Sequence, residues 1–163
     1  MSEIKYLIGD ATEPVGSGPR MILHVCNDIG GWGRGFVLAL SNKWEGPERE
    51  YRIWATGQNP EYPKFQLGEI QAVEVKQDLF VVNMIGQHGV TWVGDIPPVR
   101  YDRIRQCLNK VVKMAKYISE DTVIHMPRIG SGLAGGTWQV IEGLIKETLI
   151  GAGIDVFVYD LPE

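Results

Sequence analysis

Two of the three histidines lie where a side chain could act on a bound substrate. His88 lies in the glycine-flanked segment GQHG, and His24 ends an apolar run just before the polar pair Asn27 and Asp28. Because imidazole titrates near neutral pH, either histidine is a candidate general acid or base. Asp28 could hold a water or orient His24, or it could only cap a turn. A histidine at a strand end is also often a core residue, and for His24 that interpretation stays open.

The segment IGGWGRGF has four glycines between Gly30 and Gly35. Glycine lets the backbone approach a ligand closely, and successive amides that lead into a helix form an anion site. Arg34 could pair with a phosphate or be a solvated surface charge. Trp32 could wall a sugar or anchor the loop in the core. The spacing matches neither the nucleoside-triphosphate loop nor GxGxxG, so it favours an anionic ligand without the usual cofactor fingerprints.

Apolar periodicity predicts strands that alternate with helices. Strands are expected at 4–9, 21–26, 69–75, 79–84, 122–126 and 155–159, and helices at 36–44, 46–55, 100–118 and after Thr137. Continuous apolar runs such as 21–26 are typical of strands that are covered on both faces. We therefore predict the α/β class, with a three-layer α/β/α sandwich around a mixed, mostly parallel sheet.

Three of the predicted strands are followed by glycine-rich loops, which begin after Cys26, Met84 and Met126. In such folds ligands bind beyond the carboxyl ends of the strands, so these loops are expected to converge on one crevice. Two facing loops lined by amides would suit a diphosphate. In any single loop the glycines could serve only turns and packing. Three loops in matching positions favour binding.

The bulk composition limits the class of protein. The 163 residues are 44% hydrophobic and 22% charged, which is typical of a globular protein. The net charge of −4 argues against stable nucleic-acid binding. With no repeat or linker, we predict one domain over residues 1–163. Cys26 and Cys107 lie far apart in apolar runs, which predicts buried thiols rather than metal ligands. With no secretion signal and no apolar span, we expect a cytoplasmic protein without a membrane partner.

Three segments together resemble one known family. YLIGDAT, ILHVCNDIGGWGRGF and HMPRIGSGLAGGTW, in this order and separation, are similar to the macrodomains, the ADP-ribose-binding fold, over essentially the whole chain. MPRIGxGL followed by Trp is similar to the branch that contains terminal ADP-ribose protein glycohydrolase and ADP-ribose-1″-phosphate phosphatases. The resemblance implies ADP-ribose or an ADP-ribosylated macromolecule as the ligand, with no cofactor and no metal.

The resemblance also implies roles by position. Asp10, with Ala11 beside it, would bind the adenine amino group, although by residue type alone Asp10 could be a turn residue. Asp160 and Leu161 would flank the adenine. The expected contacts to the diphosphate and the distal ribose are Asp28, Gly31, Trp32, Gly33, Arg34, Gly35, Phe36, Gln87, Ile129, Gly130, Ser131, Gly132, Leu133 and Ala134.

Two positions depart from the catalytic pattern of the related enzymes. Their carboxylates correspond here to Val37, after the first glycine-rich loop, and Ala134, in the second phosphate loop. The remaining catalytic candidates are His24, Asn27 and His88. We expect a hydrolase that releases ADP-ribose from a modified acceptor, with an acidic protein side chain as the first choice. The alternatives are an ADP-ribose-1″-phosphate phosphatase, which GLAGG also fits, and a non-catalytic reader, which the missing carboxylates favour.

Overall fold

A six-stranded sheet forms the centre of the computed structural model, which describes residues 2–163. The strands are β1 (Ile4–Ile8), β2 (Arg20–Asn27), β3 (Ile70–Lys76), β4 (Leu79–Gln87), β5 (Val123–Met126) and β6 (Val156–Asp160). They lie in the order β1-β6-β5-β2-β4-β3, and every neighbouring pair is parallel except the hairpin of β3 and β4. The mixed, mostly parallel sheet confirms the predicted fold class.

Helices cover both faces of the sheet. They are α1 (Phe36–Lys43), α2 (Gly46–Ala55), α3 (Tyr101–Ile118) and α4 (Trp138–Ile145), which continues as a π-helical turn at Lys146–Ile150. Leu40 of α1 and Trp54 of α2 pack in one core cluster, and Ile104 of α3 and Ile141 of α4 pack in another. The sheet lies between these two clusters, which gives three layers.

The central strands are buried on both faces, as their continuous apolar runs predict. Along β2, Met21 and Leu23 contribute to the core under α3 and α4, while Ile22 contributes to the core under α1 and α2. Because successive side chains of a strand point to opposite faces, such a strand needs apolar residues at every position. β4 follows the same rule, and it runs three residues past its predicted end because it stays paired with β2 as far as Gln87.

The strand order determines where a ligand site can form. The five parallel strands β1, β6, β5, β2 and β4 all end at the same edge of the sheet. The segments that follow them therefore meet at this edge. They are residues 9–19, 161–163, 127–137, 28–35 and 88–100.

Candidate functional site

A cavity of about 530 Å³ opens at this edge, beside the ends of β2 and β4. Its walls come from the end of β2, the loop 28–35, α1, the end of β4 with the loop after it, and the 3₁₀ turn Gly132–Ala134. The lining residues are Val25, Cys26, Asn27, Ile29, Gly31, Trp32, Gly33, Arg34, Val37, Gln87, Val90, Thr91, Leu133 and Ala134.

The side chain of Asn27, at the end of β2, fixes the shape of the first glycine-rich loop. Its Oδ1 accepts hydrogen bonds from the amides of Ile29 and Gly31, each at 3.0 Å. Its Nδ2 donates to the carbonyl of Gly31, also at 3.0 Å. The Tyr51 hydroxyl of α2 donates to the carbonyl of Asn27 at 2.7 Å and lies 3.0 Å from Oδ1. The amide group is thus committed to the loop, and its contribution to the site is positional.

Trp32 both anchors this loop and walls the cavity. Its indole N–H donates to the Ser41 hydroxyl of α1 at 2.8 Å. The ring packs edge-on against His24 at 5.3 Å and lies 5.4 Å from the ring of Tyr51. Although Trp32 is buried, it is part of the cavity lining. Trp32 therefore anchors the loop in the core, and its contact with a sugar stays a prediction.

His24 lies inside β2, away from the cavity lining. Its Nε2 is 2.5 Å from Oδ1 of Asn83 on β4, and Asn83 donates to Gln71 on β3 at 2.9 Å. Burial lowers the pKa of His24 to about 4, so the ring is neutral at neutral pH. This is the environment of a satisfied core histidine.

The glycines of the two loops fall into two groups according to what surrounds them. A Cβ on Gly31 would lie 3.0 Å from Nδ2 of Asn27, and one on Gly136 would lie 2.2 Å from the carbonyl oxygen of Gly130. These glycines let the chain pack closely on itself. A Cβ on Gly33 or Gly132 would meet no atom of the described residues within 4 Å. Gly132 has a φ of +65°, which by itself favours glycine, but Gly33 has no such requirement.

The second loop presents only part of its predicted contacts to the cavity. Ile129 and Gly130 are buried beneath it. Ser131 turns back, with its hydroxyl donating to the carbonyl of Arg128 at 2.6 Å. The 3₁₀ turn Gly132–Ala134 places Leu133 and Ala134 in the lining.

Asp28 connects the first glycine-rich loop to the loop after β4. Its Oδ1 accepts a hydrogen bond from the amide of Gly89 at 2.8 Å, and its Oδ2 lies 2.7 Å from Nδ1 of His88. Partial burial alone would raise the pKa of Asp28, but the hydrogen bonds from Gly89 and His88 and the charge of His88 together lower it. Asp28 therefore orients His88 rather than His24. The imidazole of His88 is 60% exposed, and its neighbour Gln87 lines the cavity.

Asp10 and Ala11 lie outside the cavity lining, at the end of β1. Oδ1 of Asp10 accepts hydrogen bonds from the amide and the hydroxyl of Thr12, at 2.8 and 2.7 Å. Ala11 is buried behind this turn. Oδ1 of Asp10 thus shapes a turn. The binding of adenine by Asp10 stays a prediction, and it concerns the second carboxylate oxygen.

Asp160 and Leu161 lie beside Asp10, because β6 pairs with β1. The carboxylate of Asp160 forms a two-point ion pair with Arg128, at 2.7 and 3.0 Å, and this pairing lowers the pKa of Asp160. Leu161 is exposed. The Asp160 side chain is therefore engaged by the protein, and the apolar Leu161 remains available to a flat ligand.

Sequence reasoning missed six residues of the lining: Val25, Cys26, Ile29, Val37, Val90 and Thr91. Val90 and Thr91 follow His88 in a glycine-rich segment, so that composition was an available signal. The strand residues Val25 and Cys26 carried none, because their apolar character indicates only burial. In contrast, the predicted Gly35 and Phe36 lie at the start of α1 and are not in the lining.

Three further features of residues 2–163 concern the cysteines, metal binding and membrane-spanning helices. Both cysteines are free and buried, which confirms the prediction of buried thiols. In this range no three His, Cys, Asp or Glu side chains cluster as they would around a metal ion. Within the same residues, no helix has both the length and the apolar character needed to cross a bilayer.

Comparison with known proteins identifies the class. No protein-family model matches the chain. A solved structure of a protein of unknown function from Bacteroides thetaiotaomicron is 53% identical, with a TM-score of 0.92 over 98% of this chain and 99% of that one. A macrodomain protein from Streptomyces coelicolor is 47% identical, with a TM-score of 0.84 over 97% of this chain and 99% of that one. The chain therefore belongs to the macrodomain family.

More distant matches include a solved structure with the same fold and a protein that is similar in sequence. The structure of Thermosipho africanus DarTG in complex with ADP-ribose is 15% identical, with a TM-score of 0.68 over 87% of this chain and 38% of that one. Chromodomain-helicase-DNA-binding protein 1-like from Mus musculus is 26% identical over 99% of this chain. The chain spans less than a fifth of the length of the curated relatives it matches, at 18% and 15%.

We expect Asp28→Asn to lower the free energy of unfolding at neutral pH by about 1–3 kcal/mol, because the charged acceptor of two hydrogen bonds is lost. The folded-state pKa of Asp28 is lower than its unfolded-state value. The stabilisation is therefore present above the unfolded-state pKa and is lost as the pH falls through the folded-state pKa. Urea unfolding of variant and wild type from about pH 7 to about pH 2 should give stabilities that converge in acid. A difference in the free energy of unfolding that stays constant across that pH range would contradict this prediction. The control is Asp121→Asn, which changes an exposed aspartate.

Proposed function

We propose that the chain binds ADP-ribose in this cavity, with the diphosphate against the amides of residues 30–35 and 131–133. The observation that carries the proposal is that Gly33 lines the cavity and that a Cβ built there would meet no atom of the described residues beyond its chain neighbours within 4 Å. A volume of about 530 Å³ lies within the range of small-molecule sites. The ADP-ribose complex of a protein with the same fold adds support.

We further propose that the protein hydrolyses the bond between ADP-ribose and an acidic protein side chain. The pair of Asp28 and His88 supports this, because Oδ2 of Asp28 holds Nδ1 of His88 and leaves Nε2 to act on a water. The water oxygen attacks C1″ of the distal ribose, the bond from C1″ to the acceptor oxygen breaks, and the acceptor leaves as a carboxylate. The proton of the water passes to Nε2 and then to solvent, and ADP-ribose is the second product.

The roles of the other catalytic candidates change in this proposal. Asn27 holds the first loop, since its Oδ1 accepts from two loop amides and its Nδ2 donates to the carbonyl of Gly31. His24 supports Trp32 from the core and is left out of the chemistry. Arg34 lines the cavity and is exposed, which suits a contact to phosphate.

A non-catalytic reader is the second candidate, and one observation favours it. Among the described residues that line the cavity there is no aspartate or glutamate, and Val37 and Ala134 occupy the positions where related enzymes carry carboxylates. A reader would bind ADP-ribose through the same loops without turnover.

Gly33→Val should weaken the affinity for ADP-ribose at least about 100-fold, while the protein still folds. A Cβ at this position meets no atom of the described residues beyond its chain neighbours within 4 Å, so the valine methyl groups enter the space assigned to the ligand. Titration calorimetry with ADP-ribose and AMP measures the effect, and wild type should bind ADP-ribose more tightly because AMP lacks the second phosphate. Gly143→Val is the matched control, since that glycine also faces open space, on α4. Wild-type affinity in Gly33→Val would exclude this loop from the site.

His88→Ala should lower kcat by about 10²–10⁴-fold and leave ADP-ribose affinity nearly unchanged, the pattern of a group used only in the transition state. The assay is release of ADP-ribose from a protein modified on glutamate, with ADP-ribose-1″-phosphate as a second substrate and Asp121→Asn as the control. Wild-type kcat in the variant rejects His88 as the base. If wild type binds ADP-ribose but turns over neither substrate, the reader function replaces the hydrolase.

A further inference from the structure

The cavity opens onto apolar surface that extends beyond its lining. Six large apolar side chains from three loops are each more than half exposed around its mouth. Three of them also line the cavity, and the others lie in the loop after β4. Exposed apolar residues that cluster beside a binding site mark an interaction surface more often than chance. We call this set the apolar rim, and it consists of Ile29, Val90, Trp92, Val93, Ile96 and Leu133.

The loop that carries most of the apolar rim is held in place by the protein. The backbones of Val93 and Ile96 exchange two hydrogen bonds, at 2.9 and 3.0 Å, which close a tight turn. At the base of the loop, the amide of His88 donates to the carbonyl of Pro98 at 2.8 Å. The Trp92 ring packs so closely over Gly135 that a Cβ there would lie 2.6 Å from it. The apolar rim is therefore a preformed surface, which reduces the entropy lost when a partner binds.

The charges of this loop indicate the kind of partner. Residues 88–98, HGVTWVGDIPP, contain no lysine or arginine and one aspartate. Single-stranded nucleic acids bind where aromatic side chains accompany a cationic groove. Here one tryptophan accompanies valine and isoleucine side chains, which cannot pair with phosphate, and the arginine among the described lining residues, Arg34, is assigned to the diphosphate. Such a surface suits the apolar side chains of a polypeptide.

We infer that the apolar rim docks the polypeptide that carries ADP-ribose, so that the protein recognises residues next to the modified side chain as well as the nucleotide. This inference rests on the proposed binding of ADP-ribose. Val90 follows His88 by two residues and lines the cavity. An acceptor attached to the distal ribose near His88 therefore leaves the cavity over Val90 and reaches the exposed Val93 and Ile96.

The test measures binding, so it applies to a hydrolase and to a reader alike. The probes are free ADP-ribose, two peptides carrying ADP-ribose through a non-hydrolysable linkage, one with leucine and one with serine beside the modified residue, and an oligonucleotide carrying ADP-ribose. Wild type should bind the leucine peptide about tenfold more tightly than free ADP-ribose and than the serine peptide. The double variant Val93→Ser, Ile96→Ser should lose this preference and keep its affinity for free ADP-ribose. Val140→Ser, which changes an exposed valine on α4, should keep the preference.

Four outcomes would overturn the inference. Equal affinity of wild type for the two peptides removes the role of apolar flanking residues. Tighter binding of the oligonucleotide than of the leucine peptide assigns the rim to nucleic acid instead. If wild type binds free ADP-ribose but the double variant keeps the peptide preference, docking fails and the proposed function stands. If free ADP-ribose does not bind, the proposed function fails, and docking fails with it.

Discussion

The site depends on the hydrogen bonds that the amide side chain of Asn27 forms. This amide group closes the chain after β2 into a loop by bonding the backbone of Ile29 and Gly31, and the Tyr51 hydroxyl ties the same residue to α2. The absence of a side chain on Gly31 is what allows Asn27 to approach this closely. Once the loop is fixed in this way, Gly33 is held at the cavity with nothing beside it. The polar side chain of Asn27 thus shapes the part of the backbone that we propose to contact the diphosphate.

The pairing of β2 with β4 places a possible acid–base pair, Asp28 and His88, beside the first glycine-rich loop. β2 pairs with β4 as far as Gln87, and so the residue after each strand end lies beside the other. Asp28 and His88 are those two residues, and their contact at 2.7 Å joins the two loops. The cavity lining within the described residues holds no carboxylate, and His88 directly follows Gln87 of the lining, so this pair is the acid–base group of the proposed reaction. The imidazole of His88 is 60% exposed, and Val90 of the apolar rim follows it by two residues, which is the arrangement that the proposed reaction with a polypeptide acceptor needs.

The sequence predicted the layers of the fold and the glycine-rich loops, because both depend on local patterns such as the apolar run 21–26. It could not predict contacts that depend on strand order. Asp28 was a candidate partner of the nearby His24, but the pairing of β2 with β4 brings it to His88, sixty positions away. The same pairing buries His24 against Asn83. Arg128, likewise, could not be assigned to Asp160 without knowing that β6 lies next to β5.

The position of the diphosphate tests the central claim most directly, and a crystal structure with ADP-ribose bound measures it. We expect phosphate oxygens within about 3 Å of backbone amides in both loops, including Gly33 and at least one of residues 131–133. We also expect C1″ of the distal ribose to lie closer to His88 than to His24. A diphosphate held by lysine or arginine side chains elsewhere on the surface, with the space beside Gly33 unfilled, would contradict the claim.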